Sequence, residues 1–133
     1  MPNRGTESTP EAVFSGSPRG LALCRSVERL LAEPGPAGPA GQGAFETRAT
    51  TSQVAFRGRR RGFAYVWWPG RYVRSDVPAV LSIALRSRID SPRFKSVVSP
   101  YPGLWMHHLE LHSEDELDAQ VAGWLRQARD EAG

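Results

Sequence analysis

Residues 52–68 read SQVAFRGRRRGFAYVWW, and the fold follows from how that stretch pairs with itself. Ser52, Val54 and Phe56 alternate with Gln53, Ala55 and Arg57, the period of two of a strand with one buried face. Gly58 and Gly62 then bracket Arg59, Arg60 and Arg61, a glycine-bounded connection of the kind that closes a β-hairpin. The return stretch, Phe63–Trp68, is apolar at every position, which predicts an interior strand buried on both faces.

Working outward, two more strands are legible. Over 79–85, Ala79, Leu81, Ile83 and Leu85 share one face, with Val80, Ser82 and Ala84 on the other. Over 104–111, Trp105, His107, Leu109 and Leu111 point one way while Met106, His108 and Glu110 point the other. Residues 45–49 read as a strand or as a lead-in to the hairpin. Ser91-Pro92 predicts a single helical turn through Val98, stopped by Pro100 and Pro102. Ser17-Pro18 is a helix start, followed by the stripe Leu23, Val27, Leu30 and Leu31. Ser113 and Glu116 form a capping box ahead of a second stripe, Leu117, Val121, Trp124, Leu125 and Ala128. The expected architecture is α+β: an antiparallel sheet of about four strands, with an N-terminal and a C-terminal helix covering one face. Residues 1–16 read as a flexible arm, 17–133 as a single domain, and the tract PGPAGPAGQG at 34–43 as a flexible loop.

The chain has 133 residues and a net charge of +3, unevenly spread. Residues 48–95 carry eleven basic and two acidic side chains, so the middle is basic and the ends are acidic. That asymmetry suits an anionic partner for the middle, and equally suits acidic helices docked near basic strands. The single cysteine, Cys24, excludes an internal disulfide and makes the cytoplasm the expected compartment. The N-terminus lacks the apolar core of a signal peptide, and no apolar run is long enough to span a bilayer, so no membrane partner is expected.

Basic and aromatic residues interleave between 57 and 74, with no acidic residue among them. Arg57, Arg59, Arg60, Arg61, Trp68, Arg71 and Arg74 are the candidate ligand-binding residues. Guanidinium groups bind phosphate or carboxylate bidentately, and aromatic rings stack on bases. Core packing for the aromatics and a solvated turn for the arginines fit the same pattern. His107 and His108 form a second candidate polar site. His107 reads as a hydrogen-bonded core residue. His108, Glu110 and His112 lie on one strand face, but a straight strand spreads three such positions over about 13 Å. No metal site and no cofactor are expected. Nucleophile elbows, paired-cysteine motifs and phosphate loops are absent.

Several stretches together resemble a known family: SQVAFRGRRRGFAYVW, VLSIAL, SPRFK, WMHHLEL and ELDAQVAGWLRQA. They are similar to DUF5655, a family of bacterial domains of unknown function, in the form found in high-GC actinobacteria. The resemblance runs from about Leu21 to Ala128. It implies a small helix–sheet–helix domain, alone or appended to larger proteins, with no established activity and no catalytic residues to carry over. The 34–43 tract is longer than the family's usual link, and Thr51 stands where a lysine is expected. The leading expectation is a non-catalytic binding module for nucleic acid or a small anion. A protein-interaction domain, or a small enzyme built on His107 or His108, are the alternatives. The oligomeric state is not legible.

Overall fold

The computed structural model describes residues 8–33 and 45–133. The expected loop at 34–43 and the first seven residues of the expected arm lie outside the described residues.

Among the described residues three α-helices and six strands follow one another. They are α1 (Pro10–Val13), α2 (Pro18–Ala32), β1 (Glu46–Ala49), β2 (Val54–Arg57), β3 (Gly62–Trp67), β4 (Ala79–Leu85), β5 (Ser96–Tyr101), β6 (Leu104–Leu111) and α3 (Ala119–Glu131). The strands form one antiparallel sheet in the order β1-β2-β3-β4-β6-β5. Chain order breaks once: after β4 the chain crosses to the far edge, lays down β5, and returns as β6 between them. The return is a tight turn at Gly103, whose φ of 87° suits a residue without a side chain.

The expectation of about four strands is corrected to six. Both additional strands are sheet edges, and edges need no apolar alternation. β1 reads ETRA and alternates between exposed and half-buried. β5, read from sequence as a helical turn, is mostly exposed and carries Pro100, a residue that an edge strand tolerates because one row of its N–H groups faces no neighbour. The turn at Ser91 is a single one, closed by a Phe94 N–H to Ser91 carbonyl bond of 3.2 Å and an Arg93 N–H to Ser91 hydroxyl bond of 3.2 Å.

α2 and α3 pack on one face of the sheet, chiefly against β3 and β4. Ser17 caps α2, its hydroxyl accepting from the Gly20 N–H at 3.0 Å. The capping box sits on a short 3₁₀ turn at Glu114–Glu116, and Asp118 starts α3 itself by accepting from the Val121 N–H at 3.1 Å. The helix therefore begins later than the box alone implies. Leu23, Val27 and Leu31 from α2 and Val121, Leu125 and Ala128 from α3 meet Val54, Phe56, Val66, Leu81, Ile83 and Leu111 from the sheet. Arg129, only 3% exposed, ties the helices together by donating from Nη1 to the Leu31 carbonyl at 2.8 Å. Cys24 is buried among these residues. Burial pushes its thiol up to about 12, which leaves it a packing residue without a usable thiolate.

β3 is an interior strand as expected, but only one of its faces is covered. Among the described residues no helix lies on the opposite face of the sheet, and Tyr65 and Trp67 stand half-buried on it. Trp68 points the other way, against the turn between α1 and α2. A methyl group on Gly16 would overlap its indole ring, so the close approach requires glycine there. Val13 and Phe14, beside that turn, are fully buried.

Candidate functional site

Two rows of bulky side chains flank a row of short ones on the open face. Tyr65 and Trp67 stand on β3, Met106 and His108 on β6, and between them β4 presents Val80, Ser82 and Ala84. The difference in height leaves a trough along β4. One section, of about 480 Å³, is lined by Arg61, Tyr65, Trp67, Ser82, Met106 and His108 with neighbouring residues. A second, of about 370 Å³, continues past Trp67 and His108 to Arg74, Lys95 and Glu110. Both fall in the size range of small-molecule sites.

A hydrogen-bond chain crosses the trough floor on three adjacent strands. Trp67 Nε1–H donates to Ser82 Oγ at 3.1 Å, and Ser82 Oγ lies 2.7 Å from His108 Nδ1. An indole nitrogen can only donate, so Ser82 accepts from Trp67; its bond to His108 runs either way with the imidazole tautomer, Ser82 donating to a bare Nδ1 or accepting from Nδ1–H. Ser82 is 2% exposed, and its oxygen already receives the indole N–H. The pair is a relay that orients His108.

His107 faces the opposite way, into the helix-covered core, and is fully buried. Its Nδ1–H donates to the Ile83 carbonyl at 3.2 Å, and Nε2 accepts from the Ile89 N–H at 3.0 Å. Both nitrogens are satisfied, and the ring packs on Phe94 at 4.9 Å between centroids. The two histidines thus divide between core and trough, as strand alternation demands.

Burial holds both histidines below their ordinary pKa of 6.5, His107 opposed by the Ile83 and Trp105 backbone and His108 aided by its neighbour His107. In the unfolded chain both titrate near that ordinary value. Below about pH 6.5 the unfolded chain therefore takes up protons that the folded one refuses, and stability falls with falling pH; above it both states are neutral and this dependence vanishes. The melting temperature should drop between pH 7.5 and 5, and His108→Gln should flatten part of that drop. A flat wild-type profile over this window would contradict the assignment. Asp118, held low mainly by the Arg93 side chain, and Glu11, held low mainly by a backbone bond, act only at more acidic pH, below their ordinary 3.8 and 4.5.

The arginines of the sequence reading do not converge on one point. The turn after β2 is closed by the Gly58 N–H to Arg61 carbonyl bond at 2.9 Å, and the Arg60 N–H reaches the Ala132 carbonyl at 2.8 Å. The turn therefore abuts the C-terminal end of α3, the negative end of that helix. Arg59 and Arg60 are exposed there, whereas Arg61 is half-buried and lines the larger trough section. Its Nε and Nη2 are buried and make no hydrogen bond among the described residues. Arg57 ends β2 and is half-buried, Arg71 is exposed, and Arg74 lines the smaller section. Trp68 lies on the helix side of the sheet, away from Arg61. Tyr65, Trp67 and Ser82 take its place in the trough. One signal for them was in the sequence: Ser82 interrupts the apolar run VLSIAL on the same strand face as Val80 and Ala84.

His112 lies beyond the end of β6, with Nδ1 3.9 Å from Glu116. Among the described residues no group of three or more His, Cys, Asp or Glu side chains is placed to hold a metal ion. None of the described helices is long and apolar enough to cross a membrane.

Residues 40–131 match the family described as "Domain of unknown function (DUF5655)", which is well over half of the chain. The chain belongs to the DUF5655 family. The matched stretch takes in all six strands and α3, and with them every residue of the trough named above. It stops short of α1 and α2, so the DUF5655 match is shorter than the resemblance read from Leu21 onward. No curated protein and no solved structure matches the chain.

Proposed function

We propose that this DUF5655 domain is a cytoplasmic, non-catalytic binding module whose open sheet face takes an anionic ligand, a nucleic acid or a small anion. The observation that carries this reading is Arg61. Two guanidinium nitrogens are withdrawn from water and have no partner among the described residues, beside a trough lined by Tyr65, Trp67 and His108. An unpaired buried donor of this kind is costly, and a phosphate or carboxylate oxygen would remove the cost. Arg74 and Lys95 extend positive charge along the second section, although Lys95 is already paired with Glu110 at 2.8 Å. Arg59 and Arg60 add exposed charge at the near end of the sheet.

The test is fluorescence anisotropy with labelled single-stranded and duplex oligonucleotides at several salt concentrations. Arg61→Gln should weaken binding by about 1.5–3 kcal/mol, the worth of a hydrogen bond to a charged group. Replacing Arg59, Arg60 and Arg61 together by Ser should also flatten the salt dependence, by about 0.7 in the slope of log K per lost phosphate contact on a single strand. Wild-type association no tighter than about 100 μM, the weak limit of non-specific binding, would remove nucleic acid from the reading.

A protein-interaction role has one observation in its favour: Val98 and Tyr101 are exposed on β5, whose outer edge is unpaired. A pull-down partner retained at high salt by the wild type and lost by Val98→Lys would favour it.

A further inference from the structure

We infer that the trough reads the base of a nucleoside phosphate, either a free nucleotide or one residue of a single strand, and that the Trp67–Ser82–His108 relay is its selectivity device. This rests on the anion-binding reading above and names the ligand class for the same site. Trp67 donates to Ser82, because the indole has no acceptor, and in the inferred state Ser82 passes its own proton on to His108 Nδ1. Its free end is His108 Nε2–H, an uncharged donor.

A neutral donor contributes little to holding a bare inorganic anion, for which a second guanidinium would serve better. It is suited to a neutral acceptor, such as a base carbonyl or ring nitrogen, on a ligand whose charge lies elsewhere. The surroundings match that division. Arg61, whose Nε and Nη2 have no partner among the described residues, lines the same trough section. Tyr65 and Trp67, two residues apart on one strand face, supply aromatic surface of the kind on which bases stack. Sheet faces bearing aromatics are a general solution for unstacked bases, since a paired base in a duplex has neither its face nor its pairing edge free. The relay also explains why the one polar residue of β4 is a serine: Ala at Ser82 would leave the trough shape intact and His108 free to change tautomer.

The test compares a short poly-dT strand, an abasic strand of equal length, thymidine monophosphate and duplex DNA, in wild type, Ser82→Ala and Arg61→Gln. Poly-dT should bind wild type about tenfold or more tighter than the abasic strand, as one stacked base requires, with quenching of tryptophan fluorescence. Ser82→Ala should reduce that preference by about threefold to tenfold and leave abasic binding unchanged. Thymidine monophosphate binding comparable to the strand points to a free nucleotide as the ligand; binding of the strand alone points to single-stranded nucleic acid. Independently of any ligand, the ¹⁵N spectrum of the wild type should show His108 protonated at Nε2, and Ser82→Ala should shift it toward a tautomer mixture. Should Ser82→Ala not fold, His108→Phe gives the same binding comparison.

Equal binding of poly-dT and abasic strands, or equal competition by duplex, would overturn the inference while an Arg61-dependent anion site survived. Poly-dT affinity unchanged by Arg61→Gln, with the base preference intact, would overturn the charge reading alone. No binding by any probe, or a wild-type His108 protonated at Nδ1, would overturn the base-reading inference.

Discussion

A chain that starts at residue 40, where the DUF5655 match starts, should fail to fold cooperatively. The deletion removes α1 and α2, and with them Val13, Phe14, Leu23, Val27 and Leu31, all buried. At about 1.5–3 kcal/mol per buried apolar side chain, these five contribute roughly 7–15 kcal/mol of burial. A domain of this size has about 5–15 kcal/mol in total. Removing α2 also removes the cost of ordering it, so the net loss is smaller than the gross figure. The decisive effect is on what remains. The helix-covered face of β3 and β4 would stand half bare, and Arg129 would lose the Leu31 carbonyl that it holds in the core. A large bare apolar face favours association over folding. Denaturant unfolding of the 40–133 fragment, followed by far- and near-ultraviolet circular dichroism, checks this. A single sharp transition with native-like near-ultraviolet signal would show that sheet and α3 suffice.

Trp124→Ala should lower stability by about 3–5 kcal/mol, the usual cost of truncating a large buried aromatic. Trp124 is 8% exposed and packs on Phe94 with centroids 4.6 Å apart; Phe94 in turn packs on His107. The three rings run from α3 through the β4–β5 connection to β6, so a cavity at one end loosens both junctions. Arg93 lies over the indole at 6.0 Å and donates to both Asp118 carboxylate oxygens at 2.9 Å, joining the same connection to the start of α3. Chemical denaturation of the variant beside wild type measures the loss. A change below about 1 kcal/mol, within the range of surface substitutions and minor repacking, would mean that the helix stripe is not seated as described.

The interior of the fold was legible because its strands follow a period of two and its helices the 3.6-residue stripe. Val54/Phe56, Leu81/Ile83 and Leu109/Leu111 face the core as their alternation says. The edges were less legible, 45–49 reading as a strand or a lead-in and β5 as a helical turn, because β1 and β5 answer to hydrogen bonding with one neighbour and not to burial on a face. The apolar run Phe63–Trp68 was over-read: Tyr65 and Trp67 satisfy a strand pattern yet border an uncovered face, and only the helix count on each side decides that. Of the trough, the sequence pointed to Arg61, Arg74 and His108. It chose Trp68 over Trp67 because adjacent residues in a strand point oppositely, and nothing local says which side the helices take. Ser82 stood out only as the polar break in VLSIAL, and its register opposite Tyr65 and His108 is what gives that break a role.

The crossing of the chain from β4 to the far edge divides the sheet into two bodies built at different times in the chain. β1 to β4 are consecutive hairpins; β5 and β6 are a separate hairpin whose strand pairing to the first body is the β4–β6 seam. The trough lies over that seam. Trp67 and Ser82, 15 residues apart, belong to the first body, while His108, a further 26 residues on, belongs to the second. The relay is therefore a clasp between bodies, absent until they are joined. Whatever occupies the trough grips both sides of the seam, and its binding free energy is added to the free energy that keeps the two bodies together.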